Sequence, residues 1–217
     1  MRSNPSRTGL AKRANLIPER RFLCLYLPYW PTQYLTRADP GLTAPLALYE
    51  KIKGGLRLVA LDQQAQAAGL RLGQALADAR ALLPGLTVLE QDTGFLASAF
   101  AQFADWHSNA SPLVGVLDDR APFGDLVLDI TGVAHLFGGE AAMLRMVLGR
   151  LRALGYSVAG AIAPTIGAAW ALSHFGSGGI IGSDQLSDAL DTLPVAALRL
   201  DDKQVSLLTQ MGLMRIG

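Results

Sequence analysis

The feature that most limits how this chain can fold is the order of its apolar segments. Four short apolar runs have the pattern of β-strands: residues 22–27, 113–117, 126–130 and 156–163. Three stretches have the periodicity of helices: one that begins at Thr93, then residues 140–154 and 165–175. One helix therefore separates the first strand from a pair of strands, and a second helix separates that pair from the fourth strand.

This order is typical of a split β-α-β sheet, so the sequence predicts an α/β (α+β) fold of the ferredoxin-like type. Residues 31–85 interrupt the order and are predicted to form a small inserted subdomain. Its predicted elements are two strands followed by two short helices: residues 46–49, 56–61, 63–68 and 72–83. The residues from Leu193 onward begin a third unit.

The composition is that of a folded protein with a sizeable core. Of the 217 residues, 50% are hydrophobic, which is enough for one domain or two small ones. No apolar run approaches the roughly 18 residues that a membrane span requires, so no membrane partner is predicted. The single cysteine, Cys24, has no disulfide partner within the chain. It indicates a reducing, cytoplasmic location and a position in the core.

The first 21 residues differ from the rest of the chain in charge. Six arginines and lysines against Glu19 give this stretch a charge of +5, so the net charge of +1 leaves −4 on the remaining residues. The stretch lacks the apolar segment that signal peptides contain. Residues 1–21 are therefore predicted to be a basic, disordered leader. The acidic body is unlike a groove that grips phosphates.

Residues 126–139, with the sequence LVLDITGVAHLFGG, join a predicted strand to a turn at Gly132. Strands of this kind often carry metal-binding carboxylates at their start. Here residues 122–125 are PFGD, which supplies one acid where a metal site needs an adjacent pair. The chain therefore has the outline of an enzyme scaffold without the acids of its chemistry.

Several segments together resemble the Y-family translesion DNA polymerases, over nearly all of the chain after the leader. They are AGLRLGQALADARALLPGL at residues 68–86, LVLDITG at 126–132, AGAIAPTIGAAWALS at 159–173 and LPVAALRLDDKQVSLLTQMGLMRIG at 193–217. The sequence LDITGVAHLFGG is similar to the catalytically defective ImuB-like branch of that family. The resemblance implies a palm at residues 22–30 and 86–190, fingers at 31–85, and the truncated start of a helical thumb at 193–217.

The resemblance also implies where catalytic residues would lie. Phosphoryl transfer by two metal ions needs carboxylates that hold the ions about 3.5–4 Å apart. The family's first-strand Asp corresponds to Tyr26, and its adjacent Asp-Glu pair corresponds to Gly124 and Asp125. One acid of the three remains, so neither a metal site nor a magnesium cofactor is expected. Tyr26 and Trp170 are expected to fill a closed, apolar site instead.

The residues that would bind the incoming triphosphate are replaced as well. The Tyr and Arg of the family's fingers correspond to Gln63 and Gln66, and the Lys of its palm corresponds to Trp170. The resemblance therefore implies a protein that is not an enzyme, although it is similar to nucleotidyltransferases.

Contacts with DNA are expected to be weak and mostly electrostatic. They would involve the leader together with Lys51, Lys53 and Arg57 of the fingers hairpin. Family thumbs open with a Gly-rich hairpin that meets phosphate, whereas this chain has Asp201 and Asp202 there. These carboxylates would repel a phosphate and are predicted to cap the following helix.

Other polar residues are expected to have structural roles. Three histidines are scattered, without a second ligand at helical spacing: His107, His135 and His174. Asp129 is predicted to fix the turn that follows its strand or to cap a neighbouring helix. Residues 204–208, QVSLL, resemble the peptide by which bacterial polymerases bind the sliding clamp. They lie in a predicted helix, however, where Leu207 and Leu208 are expected to be buried.

Three functions are compatible with the sequence. The first is a non-catalytic adaptor in damage-induced mutagenesis, which joins DNA, the sliding clamp, a RecA-like accessory protein and an active error-prone polymerase of the replicative type. The second is an active Y-family polymerase with displaced ligands, for which Asp125 and Asp129 are the remaining acids. The third is a ferredoxin-like binding module unrelated to nucleic acid. The missing carboxylates favour the first, for which the resemblance implies a cytoplasmic, nucleoid-associated bacterial protein.

Overall fold

The computed structural model describes residues 19–117 and 123–217. Its strands are β1 (Phe22–Tyr26), β2 (Leu46–Ile52), β3 (Gly55–Leu61), β4 (Thr87–Glu90), β5 (Val114–Val116), β6 (Asp125–Asp129), β7 (Ala159–Ala163) and β8 (Gly179–Ile180). Its α-helices are α1 (Trp30–Ala38), α2 (Gln63–Ala67), α3 (Leu76–Leu82), α4 (Thr93–Asp105), α5 (Glu140–Ala153), α6 (Ile166–Phe175), α7 (Leu186–Asp191) and α8 (Asp202–Gln210). Short 3-10 turns lie at Trp106–Asn109, Ala134–Phe137, Ser183–Gln185 and Val195–Leu198.

The larger of the two sheets has five strands in the order β5-β6-β1-β7-β8. β1 is antiparallel to both β6 and β7, and β7 is parallel to β8. Along the chain, α4 precedes β5 and α5 joins β6 to β7. This is the ferredoxin-like arrangement. The predicted fold class is therefore confirmed.

Different helices cover the two faces of the larger sheet. Side chains alternate along a strand, so Leu23 and Leu25 of β1 face one way and Cys24 faces the other. The first face packs against α4 and α5, where Phe100 is buried. The second face packs against α6, which contributes Trp170. α6 thereby brings its side chains close to the end of β1.

The insertion forms the smaller sheet, in the order β3-β2-β4. β2 is antiparallel to β3 and parallel to β4. A separate core joins this sheet to α2 and α3 through buried side chains such as Ala47, Leu58 and Leu76. The sequence does not predict β4, and the palm boundary at residue 86 would place it outside the insertion. In the structure β4 completes the smaller sheet.

The sequence does not predict α1 either, because a proline usually ends a regular element. Pro31 lies in the first turn of α1, where a backbone N–H has no helical partner to lose. Trp30 is fully buried and packs against Phe100, with ring centroids 4.6 Å apart. The start of α1 therefore anchors the insertion to the core of the larger sheet.

The prediction of a disordered leader is wrong for its last residues. The guanidinium of Arg21 donates two hydrogen bonds to the Glu140 carboxylate, at 2.7 and 2.8 Å, and a third to the carbonyl oxygen of Ile181. Arg20 forms an ion pair with Asp129 at 2.9 Å. These contacts tie residues 20 and 21 to the folded body. The rest of the predicted leader, residues 1–18, lies outside the described residues.

The predicted cap at the start of α8 is confirmed, but the predicted burial of its leucines is not. Asp201 caps the helix: its carboxylate accepts from the Gln204 N–H at 2.8 Å, and the Gln204 side chain accepts from the Asp201 N–H at 3.1 Å. Leu207, expected to be buried, is 58% exposed. Leu208, also expected to be buried, is half-buried, as is Val205. Among the described helices, none is both long enough and apolar enough to cross a membrane.

Candidate functional site

The end of β1, the start of β6 and the face of α6 meet at one point. Antiparallel pairing places Tyr26, the last residue of β1, opposite Asp125, the first residue of β6. Trp170 and His174 are four residues apart on α6 and so lie on the same face of that helix. The fold therefore brings these four side chains together.

The aromatic rings of this cluster form a continuous stack. The ring centroid of His174 lies 3.7 Å from that of Tyr26 and 4.1 Å from that of Trp170, with interplanar angles of 24° and 28°. The guanidinium of Arg199 lies 5.3 Å from the centre of the Trp170 ring. Burial, together with the Asp125 charge, raises the pKa of the Tyr26 hydroxyl. Tyr26 is therefore a neutral phenol at neutral pH.

The Asp125 carboxylate is held by the same helix. The indole N–H of Trp170 donates to Oδ2 at 2.9 Å. His174 Nε2 lies 3.1 Å from Oδ1, an ion-pair distance, although the angle is not that of a hydrogen bond. Across the ring, Nδ1 lies 3.0 Å from the Trp170 carbonyl oxygen and 3.2 Å from the Ser173 hydroxyl oxygen. Asp125 is therefore in contact with two side chains on one face of α6.

Gly124 leaves no room for a side chain. Its carbonyl oxygen accepts a hydrogen bond from the Leu27 N–H at 2.8 Å, which holds the two backbones together. A Cβ atom at Gly124 would lie 2.4 Å from the Leu27 carbonyl oxygen, closer than real Cβ atoms approach other groups. A carboxylate at this position would therefore require the backbone to move.

The residues at this site do not fit the pair of metal ions that phosphoryl transfer by two metals needs. Such a pair needs several carboxylates that converge on it. Tyr26 and Gly124 have none, and both carboxylate oxygens of Asp125 face groups on α6. Within residues 19–117 and 123–217, no group of three His, Cys, Asp or Glu side chains is placed to hold a metal ion.

The expectation of a closed site is wrong. A cleft of about 900 Å³ opens beside the ring stack, between the larger sheet, the insertion and the C-terminal residues. Gln66 and Arg71 line it from the insertion, and Asp202 lines it from α8. The stacked rings form one wall of this cleft and do not fill it.

The positions that correspond to triphosphate-binding residues are only partly brought together. Gln66 and Trp170 both line the cleft. Gln63 is the first residue of α2, is exposed, and does not line the cleft. The indole of Trp170 has one donor, and Asp125 already accepts it. Trp170 therefore offers no further hydrogen bond to a ligand.

The three residues predicted to contact DNA lie on the β2–β3 hairpin, outside the lining of the cleft. All three are exposed. Cross-strand pairing places Lys51 opposite Leu56 and Arg57 opposite Glu50, so Lys51 and Arg57 point to opposite faces of the sheet. Lys53 lies in the turn between the strands. The hairpin therefore does not present these cations as one patch.

Asp129 has the structural role that the sequence predicts. Its Oδ1 accepts from the Thr131 N–H at 3.0 Å and fixes the turn after β6, while Oδ2 pairs with Arg20. Burial acts to raise the pKa of Asp129, but the hydrogen bonds from Thr131 and Arg20 outweigh it and hold the pKa below its usual range. Asp129 lies four residues from Asp125, at the other end of β6, so the two carboxylates are on the same face of the sheet but far apart.

Cys24 is buried in the core, as predicted. Burial, reinforced by the Asp125 charge, raises the pKa of its thiol to about 12.

The sequence does not identify His174 as a site residue, because it is interpreted there as an isolated histidine. The available signal is the four-residue spacing of Trp170 and His174 on one helix, but nothing local indicates that this face meets Asp125.

Comparisons with known proteins identify the family of the chain. Residues 26–174 match the model of the impB/mucB/samB family. The chain is 44% identical over 150 residues to Protein ImuB from two strains of Caulobacter vibrioides, a match that covers 69% of this chain and 32% of the relative. The chain thus spans about a third of the length of the curated relatives that it matches.

Solved structures share the fold at low sequence identity. The crystal structure of DinB from Sulfolobus solfataricus has a TM-score of 0.70 and 14% identity, over 90% of this chain and 58% of that chain. The insertion ternary complex of Dbh DNA polymerase has a TM-score of 0.72 with the same identity and coverage. The fold is therefore that of the palm and fingers of Y-family DNA polymerases. The chain belongs to the impB/mucB/samB family, as its sequence predicts.

Proposed function

We propose that this chain is the palm and fingers of a non-catalytic, polymerase-like adaptor that acts in damage-induced translesion DNA synthesis. The observation that carries the proposal is the close contact between Gly124 and Leu27. It leaves no space for a side chain where the family pattern has a metal-binding carboxylate. Asp125, the one acid left of the three, is held by Trp170 and His174.

The positions that would bind a triphosphate support the same proposal. Gln63 and Gln66 lack the charge of an arginine, and Trp170 replaces a lysine. Asp125 and Asp202 both line the cleft, and their charges oppose those of phosphates. These features favour a scaffold without nucleotidyl transfer.

An active polymerase with displaced metal ligands is less well supported. Its candidate acids, Asp125 and Asp129, lie at opposite ends of β6, about 13 Å apart at the usual strand rise. Such a distance does not suit a metal pair whose ions lie about 4 Å apart. The fold shared with Dbh DNA polymerase counts against the other alternative, a module unrelated to nucleic acid.

The proposed partners come from the resemblance to the ImuB-like branch. We expect weak electrostatic contact with DNA, and contacts with the sliding clamp, a RecA-like accessory protein and an active error-prone polymerase. A scaffold without its own chemistry acts through the surfaces that it presents to such partners. These partners place the proposed adaptor in the cytoplasm, at the nucleoid.

Primer extension tests the proposal. The purified chain is incubated with a primed template, deoxynucleoside triphosphates, and either magnesium or manganese, and we expect no incorporation. Asp125→Ala is the matched variant. Template-dependent extension by the wild-type chain that Asp125→Ala abolishes, at an unchanged melting temperature, would show that the site is active and the proposal wrong.

A further inference from the structure

A second, smaller concavity lies on the α4 and α5 side of the larger sheet, on the face opposite α6. It has a volume of about 140 Å³. Residues that line it include Trp106, His107, Phe137, Met146, Val147 and Arg150. An apolar cavity of about 150 Å³ accepts a benzene-sized molecule. This pocket, called the Trp106 pocket below, is therefore large enough for one apolar side chain.

The rim of the Trp106 pocket exposes apolar surface. Met146, which lines the pocket, is 46% exposed. Leu136, the chain neighbour of the lining residue Phe137, is 72% exposed. Exposed apolar groups around a concavity are typical of interaction sites. Aromatic residues, Met and Arg are enriched at protein interfaces, and Trp and Arg are common among the residues that dominate binding energy.

Arg150 gives the pocket a positive edge. Its guanidinium lies 4.3 Å from the centre of the Trp106 ring, which fixes the orientation of the charge. Among the residues that the structure describes, no carboxylate lies within 4.0 Å of this guanidinium. A carboxylate on a bound partner would complement this positive edge.

His107 lines the same pocket and has a buried ring nitrogen without a hydrogen-bond partner among the described residues. Its Nδ1 lies 2.8 Å from the Phe103 carbonyl oxygen and therefore carries a proton. Its Nε2 is buried and has no hydrogen-bond partner within the described ranges. Burial lowers the pKa of the ring, against the Phe103 hydrogen bond, and the nearby Arg150 charge lowers it further. The neutral ring is thus able to accept a hydrogen bond through Nε2.

We propose that the Trp106 pocket binds a segment of a partner protein, which inserts one apolar side chain beside Trp106 and Phe137 and places a carboxylate against Arg150. A polypeptide supplies the apolar group, the anion and a backbone N–H on one short segment. A nucleic acid would offer phosphates to a single arginine and nothing to the apolar walls. The inference is independent of whether the cleft is catalytic.

A phage-displayed library of random heptapeptides, selected on the 217-residue chain, provides the probe. We expect the enriched peptides to combine an apolar residue with a nearby Asp or Glu. Arg150→Glu should reverse the charge preference, so that Lys or Arg is enriched instead. A synthetic peptide with the wild-type consensus should bind Arg150→Glu about tenfold or more weakly.

Further variants separate this pocket from other surfaces. Met146→Lys places a charge on the rim and should abolish peptide binding, while Arg150→Gln should remove the preference for acids without reversing it. Arg145→Glu, an exposed position on the same helix, is the matched control and should leave the affinity within about twofold. Thermal unfolding shows that each variant is folded.

The proposal is overturned if no consensus is enriched, or if the enriched peptides bind equally well to Met146→Lys and Arg150→Glu. It is also overturned if the chain forms dimers that Met146→Lys dissociates, because the occupant would then be a second copy of the chain. Failure of the primer-extension prediction would leave these outcomes unchanged.

Discussion

At Gly124, tight backbone packing occupies the position where the family pattern has a metal-binding carboxylate. The Gly124 backbone is held against Leu27, and a Cβ atom there would come within 2.4 Å of the Leu27 carbonyl oxygen. We expect Gly124→Ala to lower the free energy of unfolding by about 1–3 kcal/mol, the usual cost of overpacking. Urea unfolding followed by circular dichroism measures this change.

Gly149→Ala is the matched control for that experiment. Gly149 lies inside α5, and apart from its chain neighbours and the helix's own backbone no described atom lies within 4 Å of the position that its Cβ would take. Alanine is favoured over glycine in a helix by about 0.5–1 kcal/mol, so this variant should be more stable than the wild type. If Gly124→Ala were as stable as the wild type, the contact with Leu27 would tolerate a side chain. The argument against a carboxylate at position 124 would then fail.

His107 should make stability depend on pH. Burial lowers the pKa of its ring, although the Phe103 hydrogen bond opposes the shift. A histidine whose folded pKa lies below its unfolded value of about 6.5 takes up its proton mainly in the unfolded state. Its contribution to stability is therefore complete above about pH 6.5 and is lost as the pH falls towards the folded pKa.

The melting temperature measured between about pH 7 and pH 5 tests this. His107→Gln should flatten that part of the curve. Asp129, whose pKa is depressed, loses its contribution only below the unfolded Asp value of about 4, so its titration does not overlap. A curve for His107→Gln that ran parallel to the wild-type curve would show that another group causes the pH dependence.

At the scale of elements, α8 depends on its cap more than on its exposed leucine. The Gln204 side chain forms half of the capping box, and we expect Gln204→Ala to cost about 0.5–1.5 kcal/mol, the usual net value of one hydrogen bond. Leu207 is 58% exposed, so Leu207→Ala should change stability by less than about 0.5 kcal/mol. Chemical denaturation measures both.

This order is the reverse of the one that the sequence predicts, where Leu207 is a core residue. A cost of about 2 kcal/mol or more for Leu207→Ala would show that the residue is buried after all. The capping box also bears on the clamp-like run at residues 204–208, because the Gln204 side chain is already bound within α8. We therefore expect clamp binding to survive Gln204→Ala.

Local periodicity explains which elements the sequence predicts. β1, β6 and β7 and the helices α5 and α6 have strong patterns within single segments, and they fix the ferredoxin-like order. β4 has four residues and gains its place by parallel pairing with β2, a contact that no local pattern reveals. The sequence does not predict α1 because Pro31, which lies in its first turn, is interpreted as the end of the preceding strand.

The candidate site is predictable in part for the same reason. Tyr26, Gly124 and Asp125 are identified by their position in a motif, and Asp129 by its place before a turn. The contact of Asp125 with Trp170 and His174 joins residues 45 or more positions apart and depends on how α6 packs on the sheet. The open cleft likewise depends on the packing of three units.

At the scale of the whole molecule, the positive charge at the start of the chain divides into two parts. Arg20 and Arg21 are paired with Asp129 and Glu140 in the folded body. Residues 1–18 carry four further positive charges and no negative charge. The weak contact with DNA proposed above should therefore depend on residues 1–18 rather than on the whole of the predicted leader.

We expect deletion of residues 1–18 to weaken binding to duplex DNA and to reduce the salt dependence of the affinity. Each phosphate contact contributes about one unit to the slope of log affinity against log salt, so the slope should fall by up to about four. Deletion to residue 21 would also remove the Arg21–Glu140 pair and lower the melting temperature. The shorter deletion therefore separates DNA contact from folding.

The double variant Lys51→Ala, Lys53→Ala tests the hairpin. If this double variant lowers the slope of log affinity against log salt and the deletion of residues 1–18 leaves the slope unchanged, the DNA contact lies in the folded body.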